Sequence, residues 1–225
     1  MRIAYISEGK LRHGILCHGV LVEARDRDPI YMEAYGGATR VLTIAKDYVI
    51  AIERGMYVGR PYTWCHTSMI KELPHNLKPT KLHLLIDEMD VLDRELGLEK
   101  LLNELGIRYN PRERQGESKR TKIQLILHTI PHTIEYRILE ALKKAQVVKS
   151  DLRKYIEKLT EEASKAIERA IAGQQVPLKH LRKEAKRSLL KVAAEQGPVR
   201  LFKLIHRYRK YIASELEKPL KQLLQ

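Results

Sequence analysis

Cysteine is scarce: the chain has only Cys17 and Cys65, too few for a disulfide framework, so it reads as a cytoplasmic protein. No run approaches the ~20 apolar residues that a membrane helix needs, and no apolar stretch follows a basic segment near the start, which argues against membrane spanning and secretion. Internal repeats and low-complexity tracts are missing, so no repeat architecture is expected. A Gly-rich loop ending in Gly-Lys-Ser/Thr is also missing, which sets aside a P-loop enzyme. No Ser or Cys nucleophile has a partner recognisable by spacing.

Acidic residues are in short supply too. The chain carries 42 Lys and Arg against 28 Asp and Glu, a formal charge of +14 with a sequence pI near 9.7, and such a surplus makes a polyanion the first partner to consider. Residues 1–130 carry net +3 and residues 131–225 net +11, so the surplus belongs to the second half. Ion-rich surfaces with few asparagines also fit a heat-resistant, thermophile-type protein, but balanced ion pairing would leave less surplus. The 44% hydrophobic content is enough for folded cores.

The apolar pattern divides the chain in the same place. Residues 2–7 and 15–24 read as strands around Gly14, a third strand begins near Pro29-Ile30-Tyr31-Met32, and the start is expected to be antiparallel. Residues 38–54 read as a helix ending at Gly55 or as two strands turning at Asp47, with the helix preferred. Residues 57–80 read as a loop region. Leu82-His83-Leu84-Leu85-Ile86 has the short apolar run of a strand buried on both faces, and it ends in Asp87-Glu88. A helix over 91–105 and a strand at 107–109 follow. From about 117 onward the pattern reads as helical, with breaks near Pro131, Gly173 and Gly197-Pro198. Leu152, Ile156, Leu159, Ala163, Ile167 and Ala170 form one apolar stripe.

Two later helices pair an apolar stripe with a cationic one. Arg200, Lys203, Arg207 and Lys210 advance by three, four and three positions and line one helix face, apart from Leu201, Ile205, Tyr208 and Ile212. Lys179, Arg182, Lys183, Lys186 and Arg187 stand opposite Leu181, Ala185, Leu189 and Val192. Such faces suit successive phosphates. Phe202, Tyr208 and Tyr211 are the stacking candidates in the last helix, with Tyr208 assigned to the core. The pattern favours backbone and shape recognition, hence a structured RNA or a duplex over a chosen DNA sequence.

Three segments of the first half carry a resemblance. IAYISEGK (3–10) is similar to the first strand of ribonuclease H, LHLLIDEMDVL (82–92) to the strand that ends in its catalytic Asp, and GLEKLLNELGIRYNPRERQGESK (97–119) to the helix, strand and Pro-Arg-Glu element before its last helix. Together they resemble archaeal and plant-type ribonuclease H over residues 1–127. The resemblance implies an α/β domain with a ribonuclease H-like mixed sheet over 1–130; the all-α basic helical domain expected over 131–225 lies outside it and rests on the helical periodicity and charge. The resemblance also implies carboxylates around two divalent cations, Mg2+ or Mn2+, with Glu8 and Asp87 in two of the ligand positions. The helical Glu of the family falls near Leu42 or Thr43 and its last Asp near Lys119, so the set is degenerate. Glu33, Glu88, Asp90 and Glu117 are the available substitutes. With the acids lost, the domain becomes a binding module with Arg108, Arg112, Arg114, Lys119 and Arg120 along one edge.

Other signals point elsewhere. LLIDEMD is also similar to a nucleotidase strand ending in paired acids. Cys17-His18 and Cys65-His66, with His13, match no zinc-finger spacing. His128 and His132 are four apart without an acid in the metalloprotease position. Residues 138–159 can hold a helix-turn-helix with Ser150-Asp151 as cap. The combined expectation is a nucleic-acid-binding protein for RNA, an RNA-containing duplex or a ribonucleoprotein. An active metal-dependent nuclease is the first alternative, and a helix-turn-helix DNA-binding or structural partner-binding protein is the second.

Overall fold

The computed structural model describes residues 3–10, 16–17, 30–34, 38–39, 41–43, 45, 81–93, 102–104, 107–113, 115–118 and 124–212. The strands are β1 (Ile3–Lys10), β2 (Leu16–Cys17), β3 (Ile30–Ala34), β4 (Lys81–Asp87), β5 (Ile107–Asn110), β6 (Gln115–Ser118) and β7 (Gln124–Ile130). The helices are α1 (Glu88–Leu92), α2 (Ile134–Lys144), α3 (Ser150–Ile171), α4 (Leu178–Gln196) and α5 (Pro198–Ile212). Residues 38–45 are helical wherever they are described, and so are 102–104.

The strands form one mixed sheet in the order β2-β1-β4-β7-β6-β5, with β3 also paired to β1. Its centre is parallel, because β1 and β7 both run alongside β4 in the same direction. The β5–β6 hairpin then returns antiparallel onto β7. From His83 to Asp87 every residue of β4 is buried, as the continuous apolar run requires of a central strand. Ser7 pairs with Leu85, Leu85 with His128, and Asp87 with Ile130. Alternation therefore puts Ser7, His83, Leu85, Asp87, His128 and Ile130 on one face. Ile6, Leu84, Ile86, Leu125 and Leu127 lie on the other.

Two expectations are corrected. The start is not antiparallel throughout: β2 is antiparallel to β1 at Gly9 and Lys10, but β3 runs parallel to it along Ala4–Glu8. Alternation marks a strand equally well in either direction, so the pattern could not choose. Nor is the chain helical from 117, because 115–118 and 124–130 are β6 and β7. A short apolar run such as Leu125-Ile126-Leu127 does not by itself separate strand from helix, and neighbouring β4 decided it. The later breaks stand where the sequence puts them. Gly173 and Gly197 adopt φ of 85° and 80°, the left-handed region that glycine enters without strain.

The face bearing Leu85 and Ile130 joins one buried cluster with Met89 and the apolar stripes of α2, α3, α4 and α5. In that cluster Ile156, Leu159, Ala163 and Ile167 are buried, and Leu152 and Ala170 pack at its margin. Helix α2 is covered almost all round, from Ile134 to Leu142. Hydrogen bonds tie α4 to α2 and to the connection that follows it: Tyr136 donates to the Leu181 carbonyl at 3.2 Å, and Gln196 donates to the Val147 carbonyl at 3.3 Å. Among the described residues, no helix is long and apolar enough to cross a membrane.

The hairpin has little tolerance at Gly116. A Cβ there would lie 2.8 Å from the Arg108 carbonyl oxygen and 3.1 Å from the Tyr109 Cα, so the backbone of β5 would have to move. Gly116→Ala is expected to lower stability by about 1–3 kcal/mol, read from the midpoint of urea unfolding.

Candidate nucleic-acid interface

The cationic stripes and the apolar stripes separate as amphipathic helices should. On α4, Ala185, Leu189 and Val192 are buried and Leu181 is half-buried, while Lys179, Lys183, Lys186 and Arg187 are exposed. On α5, Leu201 and Ile205 are buried and Tyr208 packs beside them, while Arg200, Lys203 and Arg207 are exposed. Lys210 continues α5, with its side chain outside the described residues. From Pro198 to Ile212 the chain has five Lys and Arg and no acid. Gly197, at the end of α4, leads directly into Pro198 at the start of α5, so the two cationic helices follow one another with no intervening loop.

Ion pairing sorts these cations. Arg182, expected on the cationic face, turns inward and pairs with the buried Asp90, with Asp93 at 3.9 Å. Arg187 pairs with Glu184 at 2.6 Å. Hydrogen bonds from Tyr155 and Arg187 hold the Glu184 carboxyl below its usual range. Among the described residues no ion pair involves Lys179, Lys183, Lys186, Arg200, Lys203 or Arg207. On α3, Lys158 and Lys165 pair with Glu162 and Glu161 along the helix. Helix α2 is buried, and Ser150-Asp151 does not cap α3, whose N-cap is Lys149 with no side-chain cap bond. The 138–159 segment thus packs as two core helices with a mixed-charge outer face.

A groove of about 730 Å³ lies where the α3–α4 connection meets α1, lined by Asp93, Gln174, Val176, Lys179, His180 and Lys183 among others. It places two of the unpaired lysines beside the first turn of α4, where no acid stands.

The buried carboxylates at the end of β4 have partners within the protein. Asp87 is 1% exposed, closes β4, and accepts a hydrogen bond from the Ile134 backbone N–H at 3.0 Å, at the start of α2. Glu88 accepts one from the His132 N–H at 2.9 Å, and the Met89 N–H donates to the His132 carbonyl at 3.0 Å. These bonds hold His132 at φ 58°, an uncommon conformation for a non-glycine residue that needs such outside support. Its ring lies 3.0 Å from the Ser164 hydroxyl, a partner that no sequence spacing suggested. Glu8 lies in the strand row opposite that of Asp87. Asp87 already spends one oxygen on backbone. Of the substitutes, Asp90 is engaged by Arg182 and Glu88 by the His132 backbone. Among the described residues no group of three or more His, Cys, Asp or Glu is placed to hold a metal ion.

Arg108 and Arg112 are exposed on β5 and the turn after it, and Arg108 stands across from Glu117 in the ladder. Arg114, Lys119, Arg120, His13, His18, Cys65 and His66 lie outside the described residues, and Cys17 is in β2.

Sequence reading also missed a histidine pair. His83 and His128, on adjacent strands, stack with ring centroids 5.1 Å apart and share a hydrogen bond of 2.8 Å between Nδ1 of His83 and Nε2 of His128. Both are buried, at 0% and 2% exposure. Burial pushes His128 down to about 4. No protein-family model matches the chain, and no curated protein or solved structure matches it.

Two outcomes follow from the buried polar groups. Asp87→Ala leaves the Ile134 N–H without its acceptor and is expected to cost about 1–3 kcal/mol in urea unfolding. The His128 pKa is lower folded than unfolded, so the unfolded chain takes up the proton first as pH falls. Stability linked to this group is complete above pH ~6.5 and is lost progressively down to pH ~4, by about 3 kcal/mol. Unfolding midpoints measured from pH 7 to 4.5 should fall, and His128→Gln should flatten the decline.

Proposed function

We propose that this protein binds nucleic acid through the exposed cations of α4 and α5, with RNA, an RNA-containing duplex or a ribonucleoprotein as the partner. The observation that carries the reading is the set Lys179, Lys183, Lys186, Arg200, Lys203 and Arg207, exposed and outside every described ion pair on two consecutive helices. Cations left unneutralised by the protein's own acids are available to release counterions from a phosphate backbone. Their placement on helix faces that project away from the apolar cluster supports contact with the backbone and shape of the ligand more than readout of base edges.

No observation among the described residues favours the metal-nuclease alternative, in which Glu8 and Asp87 would hold the cations.

The test is a fluorescence-anisotropy titration of a structured RNA at several salt concentrations. Log affinity should fall linearly with log salt. Arg200→Gln, Lys203→Gln and Arg207→Gln together should weaken binding and make that slope shallower by about 2–3, one near-unit for each phosphate contact removed. Affinity and slope identical to wild type would remove α5 from the interface.

A further inference from the structure

Lys179, Lys183 and Lys186 follow one another on α4 by four and three positions, so they share one helix face and are spaced by about 6 and 4.5 Å along the axis. Lys179 and Lys183 also line the groove of about 730 Å³ at the α3–α4 connection, and Lys186 does not. The cationic track of α4 therefore runs into a cavity at one end. Like charges one turn apart on a helix repel each other, and no ion pair among the described residues relieves these two. Asp93, the one acid in the lining, faces Arg182 at 3.9 Å, and His180 lies close enough to Glu184 to lower its pKa. Two ammonium groups thus share the groove without a matching anion.

The rest of the lining is of another kind. Leu92, Ala170 and Val176 are only partly buried against the apolar cluster, and what they leave uncovered forms an apolar wall. Gln174 has its side-chain oxygen taken by Arg169 at 2.9 Å, whereas the exposed Gln175 carries an amide that can both donate and accept. The volume lies within the range of about 300–1,000 Å³ typical of small-ligand sites, which suits one nucleotide and not a length of duplex. Inside a closed duplex the bases are stacked away from any such wall. The end of a strand brings a base together with its own phosphate, and a terminal phosphate monoester carries about −1.5 to −2 at neutral pH. Each internal phosphodiester carries a single charge, so a pair of lysines one turn apart matches the terminal group better.

We infer that the α3–α4 groove receives the phosphorylated end of an RNA strand, with the terminal phosphate on Lys179 and Lys183 and the terminal base against Leu92, Ala170 and Val176. Lys186 meets the backbone as it leaves the groove. This deepens the proposed function and rests on it: α4 fixes where the strand ends, and α5 holds backbone. A free nucleotide carries the same chemical group, and the experiment separates the two sources.

The full-length chain is titrated by fluorescence anisotropy with a 12-nucleotide single-stranded RNA of one sequence, labelled internally and prepared with a 5′-phosphate, with a 3′-phosphate, or with hydroxyls at both ends. One phosphorylated end is expected to bind about 10-fold more tightly than the hydroxyl form. Lys179→Gln with Lys183→Gln cancels that gain, whereas Lys186→Gln weakens all three probes alike and keeps it. Thermal melts check that the variants fold. Adenosine monophosphate, which lacks the backbone contacts, should displace the phosphorylated RNA only at about 100-fold higher concentration than unlabelled phosphorylated RNA does. Equal potency of the two competitors overturns the strand-end assignment in favour of a free nucleotide. Equal wild-type affinity for all three probes overturns the inference while leaving the cationic interface standing, and so does a gain that survives the double variant or is lost equally in Lys186→Gln. Wild-type protein that binds none of the RNAs overturns both.

Discussion

Buried carboxylates at the end of a central strand must be compensated, and the rest of this molecule is arranged around that requirement. Asp87, Glu88 and Asp90 are each 1% exposed and Asp93 is 8% exposed. An unpaired charge in such a place costs several kcal/mol, so partners have to be brought to it. The partners come from two directions: the backbone N–H groups of His132 and Ile134, where β7 turns into α2, and the guanidinium of Arg182 from α4. These contacts fix the turn after β7, hold His132 in its left-handed conformation, and dock the helices against the carboxyl edge of the sheet.

That docking determines what the helices can show to the outside. With Arg182 drawn inward, α4 and α5 press Ala185, Leu189, Val192, Leu201 and Ile205 into the cluster shared with Leu85 and Ile130. The other cations are left on the far side of both helices. On α3, Lys158 and Lys165 are matched by acids on the same helix, whereas α5 has no acid at all. Among the described helices of the second half, the surplus is thus concentrated on α4 and α5. Helix geometry, not net charge alone, turns it into a surface.

Much of this was legible from spacing. The apolar stripes of α3, α4 and α5, the breaks at Gly173 and Gly197, and the buried strand ending in Asp87 all follow from local periodicities that any packing partner would have to respect. Strand direction and the identity of β7 were not legible, because a short apolar run satisfies a strand or a helix until a neighbour with open hydrogen-bonding groups is present. The roles of single charged residues were hidden for a related reason. Arg182 and Lys183 are adjacent in a basic run, yet one neutralises Asp90 from 92 positions away in sequence and the other faces water.

The sequence by itself determined which residues are strand or helix where the pattern is long, which helix faces are apolar, and where the positive charge accumulates, since these depend on neighbours within one or two turns. Only the tertiary structure decided that Asp87 and Glu88 bind backbone, that His83 meets His128, that His132 meets Ser164, and that Phe202 borders the cations instead of entering the core. Each of those depends on contacts between distant segments, and buried charge finds its partner through space without regard to separation along the chain.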